Sequence, residues 1–146
     1  MANIVYESEY LTVCGEKHKP YKTQEERYDN IAQFFVNLIM HGGVQHTYIE
    51  GYSMGSIHRA FAIAENTEVL KHKLWQNNMS FIELAPTTIK KRTTGKGNAD
   101  KQKMYDVFVE QTGIKLQDLM LPGRKLNSPI TDVMDAYFIA RIGLAI

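Results

Sequence analysis

The sequence predicts an α/β fold, a sheet with helical cover. Two observations lead there. Short β-branched and aromatic runs alternate with longer segments whose apolar residues recur at helical spacing. Capping and breaking residues stand where those segments should begin and end.

The elements follow in order. Ile4-Val5-Tyr6 and Tyr10-Leu11-Thr12-Val13, separated by Glu7, Ser8 and Glu9, read as a hairpin of two strands. Gly15, Pro20 and several charges between Cys14 and Lys22 make a loop. Thr23 with Glu26 three residues later forms a capping box. The helix it opens carries Ile31, Phe34, Phe35, Leu38 and Ile39 on one apolar face and is stopped by Gly42-Gly43. Thr47 to Glu50 is a short strand, and Gly51-Tyr52-Ser53-Met54-Gly55 turns the chain into a second helix over 57–75. Ile57, Ala60, Phe61, Ala64 and Leu74 supply its apolar positions. Ser80 to Leu84 reads as a buried strand closed by Ala85-Pro86. Thr93 to Asp100 is a polar loop leading to a helix over 99–111, with Val107 and Phe108 toward the core. After an irregular stretch containing Pro122-Gly123, Ser128 is expected to cap, and Pro129 to open, a last helix that runs nearly to Ile146.

Composition excludes several classes. The chain has 146 residues, 44% of them hydrophobic and 23% charged, which fits one domain with a normal core and not a disordered chain. No linker divides it, so residues 1–146 are expected to form a single domain. Cys14 is the one cysteine, so no internal disulfide forms. No charged segment followed by an apolar run opens the chain, and no apolar run approaches the ~20 residues that cross a bilayer. A cytoplasmic protein without membrane contact is expected. His18, His41, His46, His58 and His72 lack zinc-site spacing and are expected on the surface or in packing. Gly95-Lys96-Gly97 lacks the spacing and hydroxyl of a phosphate loop. The formal net charge is only +1. Its distribution says more, because Lys90, Lys91, Arg92, Lys96, Lys101 and Lys103 crowd one segment that holds few acids.

Three carboxylates stand where a cleft would gather them. Glu50 ends a hydrophobic strand, and Asp132 and Asp135 are three residues apart on a helix, with Cβ atoms ~5 to 6 Å apart. Two like charges at about 5 Å repel by roughly 3 kcal/mol at an effective dielectric near 20. A hard cation such as Mg²⁺ relieves that repulsion and takes phosphate oxygens as its remaining ligands. The same residues also suit a plainer role. The first turn of a helix favours acids through its dipole, a strand-end glutamate commonly faces solvent, and the lysine-rich segment is also what a solvated surface looks like.

Read in order, the segments resemble the RuvC-like Holliday junction resolvases of the ribonuclease H superfamily. Tyr48-Ile49-Glu50-Gly51-Tyr52 is similar to that family's second catalytic segment. Residues Thr94 to Lys101, TGKGNADK, resemble its glycine and lysine segment, which meets DNA beside the active site. Asp132-Val133-Met134-Asp135-Ala136-Tyr137 resembles its terminal D-x-x-D-A helix. The resemblance implies a ribonuclease H-like mixed sheet flanked by helices. It also implies Glu50, Asp132 and Asp135 as catalytic metal ligands for Mg²⁺, with Mn²⁺ as a substitute, and Lys90, Lys96 and Lys101 on DNA phosphates. The activity it implies is structure-selective cleavage of branched DNA in recombination or repair, by a homodimer whose two-fold matches the junction. Phe61 on the second helix is a candidate dimer contact.

The family's opening strand, which ends in a catalytic aspartate, has no counterpart before Asn3, and Asn3-Ile4-Val5-Tyr6 looks like its second strand. Three explanations stand side by side: an upstream segment left out of this chain, loss of the strand together with cleavage, or a substitute acid, of which Glu7 is the nearest. The alternative function is therefore a catalytically deficient protein that binds branched DNA. A related nuclease acting on RNA or on another DNA structure uses the same acids.

Overall fold

The computed structural model describes residues 3–9, 11–15, 19–52 and 57–146. They fall into two compact units. The first comprises 1–47 and 52–81, the second 48–51 and 82–146.

In the first unit, β1 (Asn3–Glu7) and β2 (Thr12–Gly15) form the expected antiparallel hairpin, with a register irregularity between Ile4 and Tyr6. The Ser8 amide donates to the Leu11 carbonyl at 2.8 Å and closes the turn. Helix α1 (Gln24–Gly42) begins as its capping box requires. The Thr23 hydroxyl accepts from the Glu26 amide at 3.1 Å, and Glu26 Oε2 accepts from the Lys22 amide at 2.7 Å. Gly43 ends it in the left-handed region at φ 63°, which glycine adopts without a Cβ penalty.

The buried stripe of α1 is Tyr28, Ala32 and Val36, not the row of large apolar residues that the spacing favours. Phe35 is exposed. Helix α1 packs on α2 (Ile57–Gln76). Tyr28 then hydrogen-bonds Glu65 at 3.2 Å, and Lys73 pairs with Asp29. Leu74 of α2 is fully buried as expected, Ala64 is half-buried, and Phe61 is 67% exposed. Residues 53–56 of the predicted turn, the side chains of Ile57 and Ala60, and His18 lie outside the described residues.

The second unit is built on β3 (Tyr48–Glu50) and β4 (Ile82–Leu84), which pair in parallel with Glu50 opposite Leu84. The Gly51 amide carries the ladder one step on, donating to the Leu84 carbonyl at 2.8 Å. The expected buried strand at 80–84 is shorter, and only Leu84 in it is buried; Ile82 and Glu83 are exposed. Four helices follow: α3 (Pro86–Thr94), α4 (Lys101–Thr112), α5 (Leu116–Met120) and α6 (Ile130–Leu144).

Two of these correct the sequence reading. Helix α3 occupies a stretch with no helical periodicity, anchored by Pro86 at its first turn and by Ile89, its one buried side chain. The five residues of α5 are held from outside, by burial of Leu116 and by the Tyr105 hydroxyl accepting from the Gln117 amide at 3.0 Å. Asp100, not Ala99, sets the start of α4, its carboxylate accepting from the Lys103 amide at 2.8 Å. Ser128 does not cap α6: Pro129 occupies the cap position, and no side chain fills the role.

The core of this unit gathers Leu84, Ile89, Met104, Phe108, Leu116, Ile130, Met134 and Phe138. Phe108 is its centre, edge-on to Tyr137 at 5.1 Å and to Phe138 at 6.5 Å. Residues 130, 134, 138 and 142 form the buried stripe of α6. Near its end Gly143 lies so close to Tyr48 of β3 that a Cβ there would overlap the ring. No helix among the described residues is long and apolar enough to cross a membrane.

Candidate nucleic-acid interface and metal centre

The parallel ladder sets the position of Glu50. It pairs with buried Leu84, and side chains alternate along a strand, so Glu50 and Leu84 share the face of the ladder that meets the core. Glu50 is half-buried there.

Opposite it runs α6. At about 100° per residue, positions three apart differ by about 60° around the helix. Asp135 lies at the edge of the buried stripe, its side chain 22% exposed, while Asp132 lies one step farther round and is exposed. The two aspartates therefore have different surroundings. Asp135 accepts a hydrogen-bonded ion pair from Lys101, the first residue of α4. Asp132 accepts from the hydroxyl of Ser128, four residues before it. A Ser-Pro-x-x-Asp spacing carries that second contact in the sequence, where the serine reads more readily as a cap.

Electrostatics tie Asp135 and Lys101 to Glu50. Burial pushes the Glu50 carboxyl above its ordinary range, the charge of Asp135 pushes it the same way, and Lys101 and Lys90 pull it back. Asp135 of α6, Lys101 of α4 and Lys90 of α3 thus all act on Glu50 of β3. Lys96 is exposed in the segment 95–100 between α3 and α4. Gly95 opens that segment in the left-handed region at φ 78°, its amide donating to the Lys91 carbonyl at 2.8 Å.

Two carboxylates from different elements suit a hard divalent cation. Mg²⁺ is commonly held by one or two carboxylates and completes its shell with water and substrate phosphate. Among the described residues no group of three or more His, Cys, Asp and Glu side chains is placed to hold a metal. Glu50 and Asp135 are two carboxylate oxygen donors, one from β3 and one from α6.

No protein-family model and no curated protein matches the chain. Solved structures do. The structure of RuvC from Thermus thermophilus is similar with a TM-score of 0.62 at 14% identity, over 97% of this chain and 87% of that one. T. thermophilus RuvC in complex with a Holliday junction substrate is similar with a TM-score of 0.63 at 13% identity, over the same 97% and 87%. At that identity the likeness shows a RuvC-like fold.

Proposed function

We propose that the protein is a structure-selective endonuclease of the junction-resolvase kind, cutting Holliday junctions or related branched DNA with Mg²⁺. The observation that carries this reading is the convergence of Glu50 and Asp135 beside Lys101 and Lys90, in a chain with a RuvC-like fold. Carboxylates next to lysines serve a substrate that brings phosphates and needs a cation. Glu50 and Asp135 would hold the metal, with Asp132 one turn away on α6. A divalent ion there supplies Lewis-acid polarisation of the phosphoryl oxygen and a lowered pKa for the attacking water. The chain itself does the placing: Lys90, Lys96 and Lys101 draw the backbone phosphates toward the acids, and half-buried Glu50 keeps its carboxylate fixed on the ladder.

A homodimer belongs to this reading, since two nicks across a two-fold junction need two sites. Exposed apolar side chains on α2, Phe61 at 67% and Trp75 at 70%, supply surface of the kind a partner copy covers. Sedimentation that finds only monomer at micromolar concentration would count against it.

The test is cleavage of a labelled four-way junction against linear duplex, with Mg²⁺, with Mn²⁺ and with EDTA. Metal-dependent paired nicks that vanish in Glu50→Gln and Asp135→Asn are the expected result. One observation favours a second reading, a cleavage-deficient junction-binding protein: among the described residues no three metal-ligating side chains are grouped, and a lysine already bonds Asp135. Tight, junction-selective binding with no nick in any metal would select it and overturn the first.

A further inference from the structure

Lys101 bonds Asp135, one of the two side chains assigned above to a cation. The partners differ in exposure, 51% for the Lys101 side chain against 22% for Asp135, so the lysine is the arm that can swing away and the aspartate the part that stays. Lys101 stands at the first position of α4, whose start is pinned independently by Asp100, so its release leaves the helix intact. Ion pairs this exposed contribute little to stability. A lysine is a compact charge on a flexible stem that binds carboxylate and phosphate alike. Lys90 also pulls the Glu50 carboxyl down, as Lys101 does.

From this arrangement we infer that Lys101 is an exchangeable counter-ion: it competes with a divalent cation for Asp135, and a DNA phosphate that captures its ammonium hands Asp135 to the cation. The inference rests on the metal-dependent reading of the site and adds its regulation. Metal binding is weak in the protein alone and strengthens on DNA, and by linkage the metal tightens DNA binding by the same factor. Such a device keeps the site from loading, and so from hydrolysing, until a backbone is seated.

Two measurements on the full chain test it. The first is Mn²⁺ affinity of the protein without DNA, by calorimetric titration, for the wild type, Lys101→Met, Lys101→Arg and Asp135→Asn. The second is junction affinity by stopped-flow fluorescence anisotropy, read before nicking, with Mn²⁺ and with EDTA at matched ionic strength. Removing the competitor in Lys101→Met should tighten Mn²⁺ binding about fivefold or more, the lower end of usual coupling between sites. Lys101→Arg keeps the charge and should stay near wild type, and Asp135→Asn should lose the ion. The factor by which Mn²⁺ strengthens junction binding should fall in Lys101→Met by as much as its Mn²⁺ affinity rises. Unchanged Mn²⁺ affinity and unchanged coupling in Lys101→Met, with Asp135→Asn still deficient, overturns the counter-ion and leaves the metal site standing. No Mn²⁺ binding by any of the proteins, with or without junction, overturns both.

Discussion

At the residue scale Glu50 carries two opposed demands. Burial and the neighbouring Asp135 favour its protonated form in the folded state, so ionising it works against folding. Below its ordinary value of 4.5 both folded and unfolded chains hold the proton and the penalty is absent; it grows as the pH rises from that value, where the unfolded chain ionises first, and is complete above the raised folded value. Glu50→Gln should therefore raise the melting temperature at pH 7 and leave it nearly unchanged at pH 4, while abolishing metal-dependent cleavage. Equal shifts at both pH values would show that the charge is not what costs stability. Asp135→Asn breaks an exposed ion pair and should cost only about 0 to 1 kcal/mol in chemical denaturation, so its loss of cleavage would not be a folding defect. Glu50, Asp132, Asp135 and the lysines could all be picked out of the sequence, the acids because they stand on recognisable elements and the lysines because they crowd residues 90–103. The sequence does not separate the two aspartates. That difference comes from the rotation of α6 against β3, which only packing fixes.

At the scale of elements, Phe108 and Gly143 are the positions to perturb. Phe108 is fully buried among Tyr105, Tyr137 and Phe138, and Phe108→Ala should cost about 3 to 5 kcal/mol, read as a lowered denaturation midpoint. Gly143→Ala places a methyl into the Tyr48 ring and should cost about 1 to 3 kcal/mol through overpacking. It also pushes α6 from β3, the two elements that carry Asp135 and Glu50, so cleavage should fall by more than the loss of folded protein explains. Helices α1 and α4 and the hairpin were legible because their signals are local: a capping box, a glycine stop, a turn between β-branched runs. Helix α3 was not, since Thr87, Thr88 and Thr93 are poor helix formers and one buried Ile89 makes no period. Helix α5 is stabilised by Tyr105, twelve residues from its partner Gln117, and no window along the chain shows that bond. Of the apolar face read for α1, Ile31, Phe34, Leu38 and Ile39 are half-buried and Phe35 is exposed, while the buried positions are Tyr28, Ala32 and Val36.

At the scale of the whole molecule, charge is nearly balanced and yet locally biased. The net charge is +1, while six basic side chains fall within 90–103. Junction affinity should drop steeply with salt, and each lysine that meets a phosphate should take about one unit from the slope of log affinity against log salt when replaced by glutamine. Lys90, Lys96 and Lys101 should each lower the slope; Lys73, paired with Asp29 in the other unit, should not. The chain also threads its two units in an interleaved order, with residues 48–51 belonging to one and the segments on either side of them to the other. Tyr48 opens that short insertion, and its ring meets the backbone of Gly143, 95 residues downstream. Positions 48 and 143 are therefore not free to drift separately. A lineage that gains a side chain at 143 must first shrink the ring at 48, and the reverse order passes through a misfit intermediate. Among descendants of this sequence the two positions should change together or not at all.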